Sequence, residues 1–388
     1  MVKGGKSIHK KYKKYNTNNI LKKRSRKKKS KNKKNIITKI GGPISIHYYK
    51  IVIGSQARKI LLFGDTHTRY RHKKESNIIE ITTLLKQIIR KSNSCIDFYS
   101  ENAPFHSDLK AKGKSLKNYS DPLNAIRNEF GGCPLHNFKG KNCAYDNLRY
   151  HNWDLRMDGS NKNEWKTNPY DELLFKYPTS IKKLHAKFSK EDIIKYILGF
   201  LNGKKESDIT EFFDKELKSK YSRKSFSDEV SVISLLEKRQ KLIQKEYNKC
   251  IKSVRFPKDL LKTFIDSYIS LNDTDYTLVF TDFYMLCRMF MKFDTKKSKR
   301  TPKRCPVRGK QNYAFPKNII VYAGDSHIID VITFLEKMYG SKPVYTTSHK
   351  FPDGISSKII TLNNIKDSSG KKLSDIKEVN DLFSDFIN

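Results

Sequence analysis

No stretch of this sequence approaches the roughly 18 consecutive apolar residues that a membrane-spanning helix requires, and no apolar segment follows the basic N-terminus as in a secretory leader. Neither a membrane span nor secretion is expected, which leaves the cytoplasm, the nucleus or a virion. Cysteine is scarce: Cys95, Cys133, Cys143, Cys250, Cys287 and Cys305 are irregularly spaced and form no CxxC pair. That pattern argues against a disulfide framework and predicts a reducing compartment. Acidic residues are few as well, 40 Asp and Glu against 79 Lys and Arg, for a formal net charge of +39. An excess of that size seeks polyanions. What is present, 388 residues with 37% hydrophobic side chains, suffices for a sizeable core and excludes a disulfide-dense miniprotein.

The charge is concentrated at one end. Residues 1–35 hold 16 of the 79 Lys and Arg and no Asp or Glu, and the other 63 still outnumber the 40 acidic residues. Runs such as Lys22-Lys23-Arg24 and Arg26-Lys27-Lys28-Lys29 repel one another and have almost nothing apolar to anchor them, so residues 1–35 are expected to be a disordered basic tail. Such a tail binds nucleic-acid phosphates by counterion release, weakened by salt. A nuclear address and a solubilising appendage are the other readings of the same charges. Tyr12 and Tyr15 allow some stacking on bases.

From residue 36 to 388 the patterning is that of an α/β protein. Alternation over Ser45–Ile53 and the apolar run Lys59–Phe63 predict a hairpin. Ile78, Ile79, Ile81, Leu84, Leu85, Ile88 and Ile89 recur at helical spacing and predict a helix from Asn77, capped by Ser76, to Lys91. A strand at Cys95–Tyr99 completes a βαβ order, which builds parallel sheet. Short elements follow: a helix at Leu123–Phe130 and a strand at Arg149–Arg156. The stretch of about 165–293 reads as a large helical insertion, its last helix spanning Leu278–Phe293. A strand at Asn318–Ala323, a helix at Ile328–Tyr339 and a strand near Pro343–Thr346 return to the sheet. The fold expected is a mostly parallel sheet flanked by helices.

Two segments share one design: Gly64-Asp65-Thr66-His67 and Gly324-Asp325-Ser326-His327, each at the carboxyl end of an apolar strand. In an open parallel sheet such ends lie along one edge, where ligands bind. Gly64 and Gly324 permit a sharp turn off the strand. Asp65 and Asp325 with His67 and His327 offer hard and borderline donors for a divalent cation, Zn²⁺ or Mn²⁺. Such a cation lowers the pKa of its water and polarises a carbonyl or phosphoryl oxygen. Glu101, just past Tyr99-Ser100, adds a carboxylate from a third strand end, as metal ligand or general base. The alternative is that each Asp caps the turn that follows and each His is an ordinary loop residue.

These residues resemble the superfamily of Tiki proteases, TraB-like proteins, haem-uptake lipoproteins and erythromycin esterases, whose members carry two GxxH motifs. The resemblance covers scattered segments: the first strand with Gly64 and His67, Glu101, the helical middle, and Ile319–His327 with Gly324 and His327. It implies a metal-dependent hydrolase, peptidase- or esterase-like, acting on a small molecule or peptide, with Arg156 as a basic residue of the site. It also admits a degenerate site without activity. The Asp in each motif, together with Asp282-Phe283-Tyr284 before Arg288, resembles proteins of giant DNA viruses. Asp65 stands where many relatives have Glu, and the basic tail has no family counterpart.

Other signals compete. Asp65-Thr66-His67 also fits the opening motif of a calcineurin-like metallophosphoesterase, whose later motifs are missing. Cys133, His136, Cys143 and His151 match no common zinc finger, and inert cysteines are the simpler reading. Asp282 opens an amphipathic helix as a cap or reaches the site, whereas Arg288 is expected as a solvated cation. A non-enzymatic protein that attaches to nucleic acid or a virion through residues 1–35 and the basic loop Lys296–Lys310 is the alternative to an enzyme.

Overall fold

The computed structural model describes residues 36–53, 55–66, 70–71, 76–101, 119–120, 122–133, 143–153, a few between 187 and 195, 276–293, 302, 304–306, 313–348 and 358–388 except 374–375. The basic segment 1–35, His67, His136, Arg156, most of the expected helical insertion and most of the loop 296–310 lie outside them.

Strands are β1 (Lys39–Gly41), β2 (Ser45–Ile53), β3 (Gln56–Asp65), β4 (Tyr70–Arg71), β5 (Ile78–Glu80), β6 (Ile96–Ser100), β7 (Tyr119–Ser120), β8 (Leu148–Asn152), β9 (Asn318–Gly324), β10 (Tyr345–Ser348), β11 (Ile359–Thr361) and β12 (Lys366–Asp367). Helices are α1 (Ile81–Lys91), α2 (Pro122–Phe130), α3 (Tyr276–Phe290), α4 (Asp325–Tyr339), α5 (Val379–Leu382) and α6 (Ser384–Ile387). A seven-stranded sheet has the order β12-β10-β2-β3-β9-β6-β8, beside a sheet β11-β1-β5 and the pair β4-β7. Residues 37–388 form one compact unit.

The α/β class holds, but the sheet is mixed and not mostly parallel. Pairs β3/β9, β9/β6 and β6/β8 are parallel, whereas β12/β10, β10/β2 and β2/β3 are antiparallel. The cause is local. Ile53 and Gln56 pair directly across a tight connection, and a hairpin that short joins only antiparallel strands. The first helix also starts later than its apolar spacing suggests. Ile78–Glu80 pairs in parallel with Lys39–Gly41 as β5, and the helix begins at Ile81 after Glu80, so Ser76 caps nothing. A strand partner outcompeted helical periodicity there.

One face of the sheet carries the main apolar core. Leu61, Phe63, Ile96, Phe98, Leu148, Tyr150, Ile320 and Tyr322 pack with Leu84, Leu85, Ile88 and Ile89 of α1 and Ile126 and Phe130 of α2. Each such side chain contributes roughly 1.5–3 kcal/mol when fully buried. Near the antiparallel edge, α6 adds Phe386 against Tyr48. The opposite face is buried too, with α4 packed on β3 and β9 and against α3. There the alternation sets Asp97, Tyr99 and Glu101 beside Arg149, His151 and Trp153, all at most 3% exposed. Helix α4 ends at Gly340, whose φ of +57° is the left-handed conformation that favours glycine; its N–H donates to Glu336.

The cysteines correct the expectation of unpaired thiols. Cys95–Cys305 and Cys133–Cys143 are disulfides, with Cα–Cα distances of 5.0 and 4.7 Å. Cys95 precedes β6 and Cys305 lies in the segment leading to β9, so adjacent strands bring together residues 210 apart. Cys287 is free and buried. Among the described residues no helix is long and apolar enough to cross a membrane.

Candidate active site

The parallel half of the sheet aligns its carboxyl ends. Asp65 pairs with Gly324, and Ser100, which precedes Glu101, pairs with Tyr322 and Asn152. Thus Asp65, Gly324 with Asp325, Glu101 and Trp153 share one edge although they lie in distant parts of the sequence.

Glu101 is 3% exposed and spans two elements. Its Oε2 accepts a hydrogen bond of 2.6 Å from the Gly324 N–H at the start of α4, and its Oε1 lies 3.4 Å from His327 Nε2. The other ring nitrogen, Nδ1, donates to Asp282 Oδ1 at 2.5 Å. Trp153 stands edge-on to the imidazole with centroids 5.1 Å apart. Burial alone would push the His327 pKa down, but the charges of Asp282 and Glu101 outweigh it and hold the ring well above the ordinary histidine range. Asp282 is therefore no cap: α3 starts six residues earlier, and Asp282 is fully buried on its interior.

A second cluster adjoins Glu101 through Asp65. Asp65 is 1% exposed, and its Oδ1 accepts from the Thr66 N–H and lies 2.5 Å from Lys358 Nζ. Asp325, half-buried in the first turn of α4, accepts from the Ser45 hydroxyl. Burial pushes the Asp325 carboxyl up; the Ser45 bond opposes this and the neighbouring Asp65 charge adds to it. Neither motif glycine serves a sharp turn. The positive-φ glycines among the described residues are Gly42, Gly340 and Gly370. Gly64 is needed for close approach, because a Cβ there would collide with Asp325 Oδ1 and Ser45 Oγ. Gly324 is extended, at φ −52° and ψ 143°, and serves through its N–H.

Below this edge lies a charged network that the sequence reading did not single out. Arg149 grips Asp97 with two bonds, Nε to Oδ1 at 2.7 Å and Nη2 to Oδ2 at 2.6 Å, and its Nη1 donates to the Tyr313 carbonyl at 2.7 Å. His151 Nε2 donates to Asp97 Oδ1 at 2.9 Å, and Arg288 Nη2 donates to His151 Nδ1 at 3.2 Å. Burial lowers the His151 pKa to about 4, so the ring is neutral and fits both roles. For Asp97, burial pushes upward, but Arg149 and His151 prevail and hold it low. Tyr99 stacks on His151 at 4.3 Å and donates its hydroxyl to the Arg288 carbonyl. Arg288 is thus not solvated: it is 6% exposed and pins α3 to β8. These pairings also remove the zinc alternative, since Cys133 and Cys143 bond each other and His151 bonds Asp97.

The signal for this network was present. Asp97, Tyr99 and Glu101, like Arg149, His151 and Trp153, alternate with apolar residues at period two. In strands flanked on both sides that marks a polar interior face. Lys358 had no local signal; only the tertiary fold brings it to Asp65.

Whether a metal fits can be judged from the donors. Among the described residues no group of three or more His, Cys, Asp and Glu side chains is arranged to hold a metal ion. The reason is that Asp282 binds the ring nitrogen opposite Glu101, so the three do not converge on a point. Glu101 and His327 do make a fitting donor pair. Two ligands of a tetrahedral zinc at 2.0–2.1 Å are separated by roughly 3.3 Å, close to the 3.4 Å between Oε1 and Nε2. A carboxylate on the other ring nitrogen is the usual outer support of a metal-bound histidine, the place Asp282 holds. His67, the expected further ligand, and Arg156, the expected basic residue, lie outside the described residues.

Comparison with protein-family models, curated proteins and solved structures finds no match for this chain.

Proposed function

We propose that this chain is a metal-dependent hydrolase of the Tiki/TraB type, peptidase- or esterase-like, whose centre lies at the carboxyl ends of β3, β9 and β6. The observation that carries the proposal is the buried pair Glu101 and His327, with Asp282 fixing the imidazole from behind. Glu101, His327 and His67 would hold Zn²⁺ or Mn²⁺, which when bound polarises a carbonyl and makes water acidic. Within the chain, Asp282 keeps Nδ1 protonated and turns Nε2 toward Glu101. The Gly324 N–H fixes Oε2 of Glu101, leaving Oε1 to face the site. Asp325, with its raised pKa, suits a proton donor to a leaving group. Arg156 would steady an anionic group of the substrate. Residues 1–35 would hold the enzyme on nucleic acid or another polyanion. Disulfides persist in oxidising surroundings, virions among them, so of the intracellular settings expected a virion suits the two disulfides best.

Elemental analysis of the full-length protein beside His327→Ala and Glu101→Gln tests this. Stoichiometric zinc or manganese in the parent and its loss in both folded variants is the expected result. No metal in a metal-replete, folded parent would overturn the proposal and favour the non-enzymatic polyanion-binding protein, for which the +39 charge speaks.

A further inference from the structure

Lys358 comes from the residue before β11, far from both Gly-Asp motifs in sequence, yet its side chain is 2% exposed and ends on Asp65 Oδ1 at 2.5 Å. A buried ammonium is tolerated only against a carboxylate, and a buried carboxylate only against a cation. The pairing has a reason at this place. Asp65 is itself fully buried, and its charge already raises the pKa of Asp325 next to it. Ser45 and the absent Gly64 side chain let Asp325 approach this closely. Without a positive charge, two carboxylates would repel one another at a dry strand end. In a two-metal hydrolase that charge is a second divalent cation about 3.5–4 Å from the first, and the two ions together clamp the attacking and leaving oxygens of a phosphoryl transfer.

We infer that Lys358 is the resident cation of this half of the site: its ammonium stands where a second divalent ion would bind Asp65, so the centre takes one metal ion and is built for carbonyl hydrolysis, of a peptide or ester, and not for two-metal phosphoester chemistry. The inference rests on the proposed metal site at Glu101 and His327 and narrows its substrate class. Lys358 is a positioning residue, acting through Asp65. A lysine supplies a compact single charge on a flexible stem, enough to neutralise Asp65 but with no open position for a water or a phosphoryl oxygen.

The test is Mn²⁺ stoichiometry of the full chain, by calorimetry and by the electron paramagnetic resonance of bound ion. The parent should bind one equivalent, and Lys358→Met should bind one more, at the carboxylates released. The double variant Asp65→Asn/Lys358→Met removes the buried pair together and so keeps the fold accessible; it should return to one equivalent. A parent that binds two equivalents overturns the inference. So does a folded Lys358→Met that binds no more than the parent, or a folded double variant that binds none, which would make Asp65 a ligand of the first ion. A parent that binds none while Lys358→Met binds one would sink the hydrolase proposal and leave the role of Lys358 standing.

Discussion

Replacing Asp97 by Asn keeps the side chain's shape and removes its charge. In the native network Asp97 is fully buried and answers three donors: Arg149 twice, at 2.7 and 2.6 Å, and His151 at 2.9 Å. Asn presents one acceptor oxygen where the carboxylate had two, so at least one Arg149 donor faces an amide N–H. More importantly, the Arg149 guanidinium, with no exposed side-chain surface, keeps only the Tyr313 carbonyl and the Phe293 ring, whose centroid is 4.2 Å from its Cζ. Breaking a buried pair from one side costs about 3–5 kcal/mol because a charge is left without compensation. Replacing both partners by apolar residues of similar volume, Asp97→Leu/Arg149→Met, is far milder. Urea unfolding of the oxidised protein near pH 7.5, followed by tryptophan fluorescence, measures both. The single variant should lose about 3–5 kcal/mol and the double variant much less, a coupling of several kcal/mol. If Asp97→Asn costs under about 1 kcal/mol, or the two substitutions simply add, the network is not what secures β6 to β8.

Gly64→Ala should destabilise by about 1–3 kcal/mol, since its Cβ overlaps Asp325 Oδ1 and Ser45 Oγ, and Ser45→Ala in the same background should recover part of the loss; both are read by urea midpoint. Acid should weaken the fold through His151 and His47, whose folded pKa values are each lowered by burial from 6.5 to about 4. The unfolded chain binds more protons than the native one in that interval, so stability falls as pH drops from 6.5 to about 4, at up to roughly 1.4 kcal/mol per pH unit for each histidine. His151→Gln should flatten that slope, and an unchanged slope would refute the assignment. Cys95→Ser/Cys305→Ser should cost more than Cys133→Ser/Cys143→Ser, roughly 5 against 3 kcal/mol in the chain-entropy account, because the closed loops span 210 and 10 residues. Equal losses in thermal unfolding would count against that account.

Local signals served where the side chain decides the structure and failed where a distant partner does. The strand before Gly64, the strand before Gly324 and the apolar stripe of α1 are each legible in their own segment, because alternation and helical spacing are local properties. The antiparallel half of the sheet is not, since β10 joins β2 through a register, Tyr345 with Tyr48, that no nearby residue announces. Asp282 looked like a cap because the helix boundary was drawn at the nearest acidic residue. The helix instead begins at Tyr276 and uses Asp282 inside, against a histidine 45 residues later. The disulfides were missed for a related reason: irregular spacing says nothing about two cysteines that neighbouring strands bring together. Glu101, Asp325 and His327 were found because each follows a strand whose end could be read.

The position of β9 has a consequence for how the chain is made. It lies between β3 and β6, which are complete by Ser100, yet its own pairing begins only at Asn318. A ribosome adding about 5–20 residues per second takes roughly 10–45 s to cross that interval. Throughout it, β3 and β6 each present a bare edge of backbone donors and acceptors toward the gap that β9 will fill, and such edges recruit strands from other chains. The sheet is closed from its middle outward in time, by the strand delivered late, and a nascent chain held at low concentration or shielded by a chaperone should give a higher yield of folded protein than one released into a crowd of its copies.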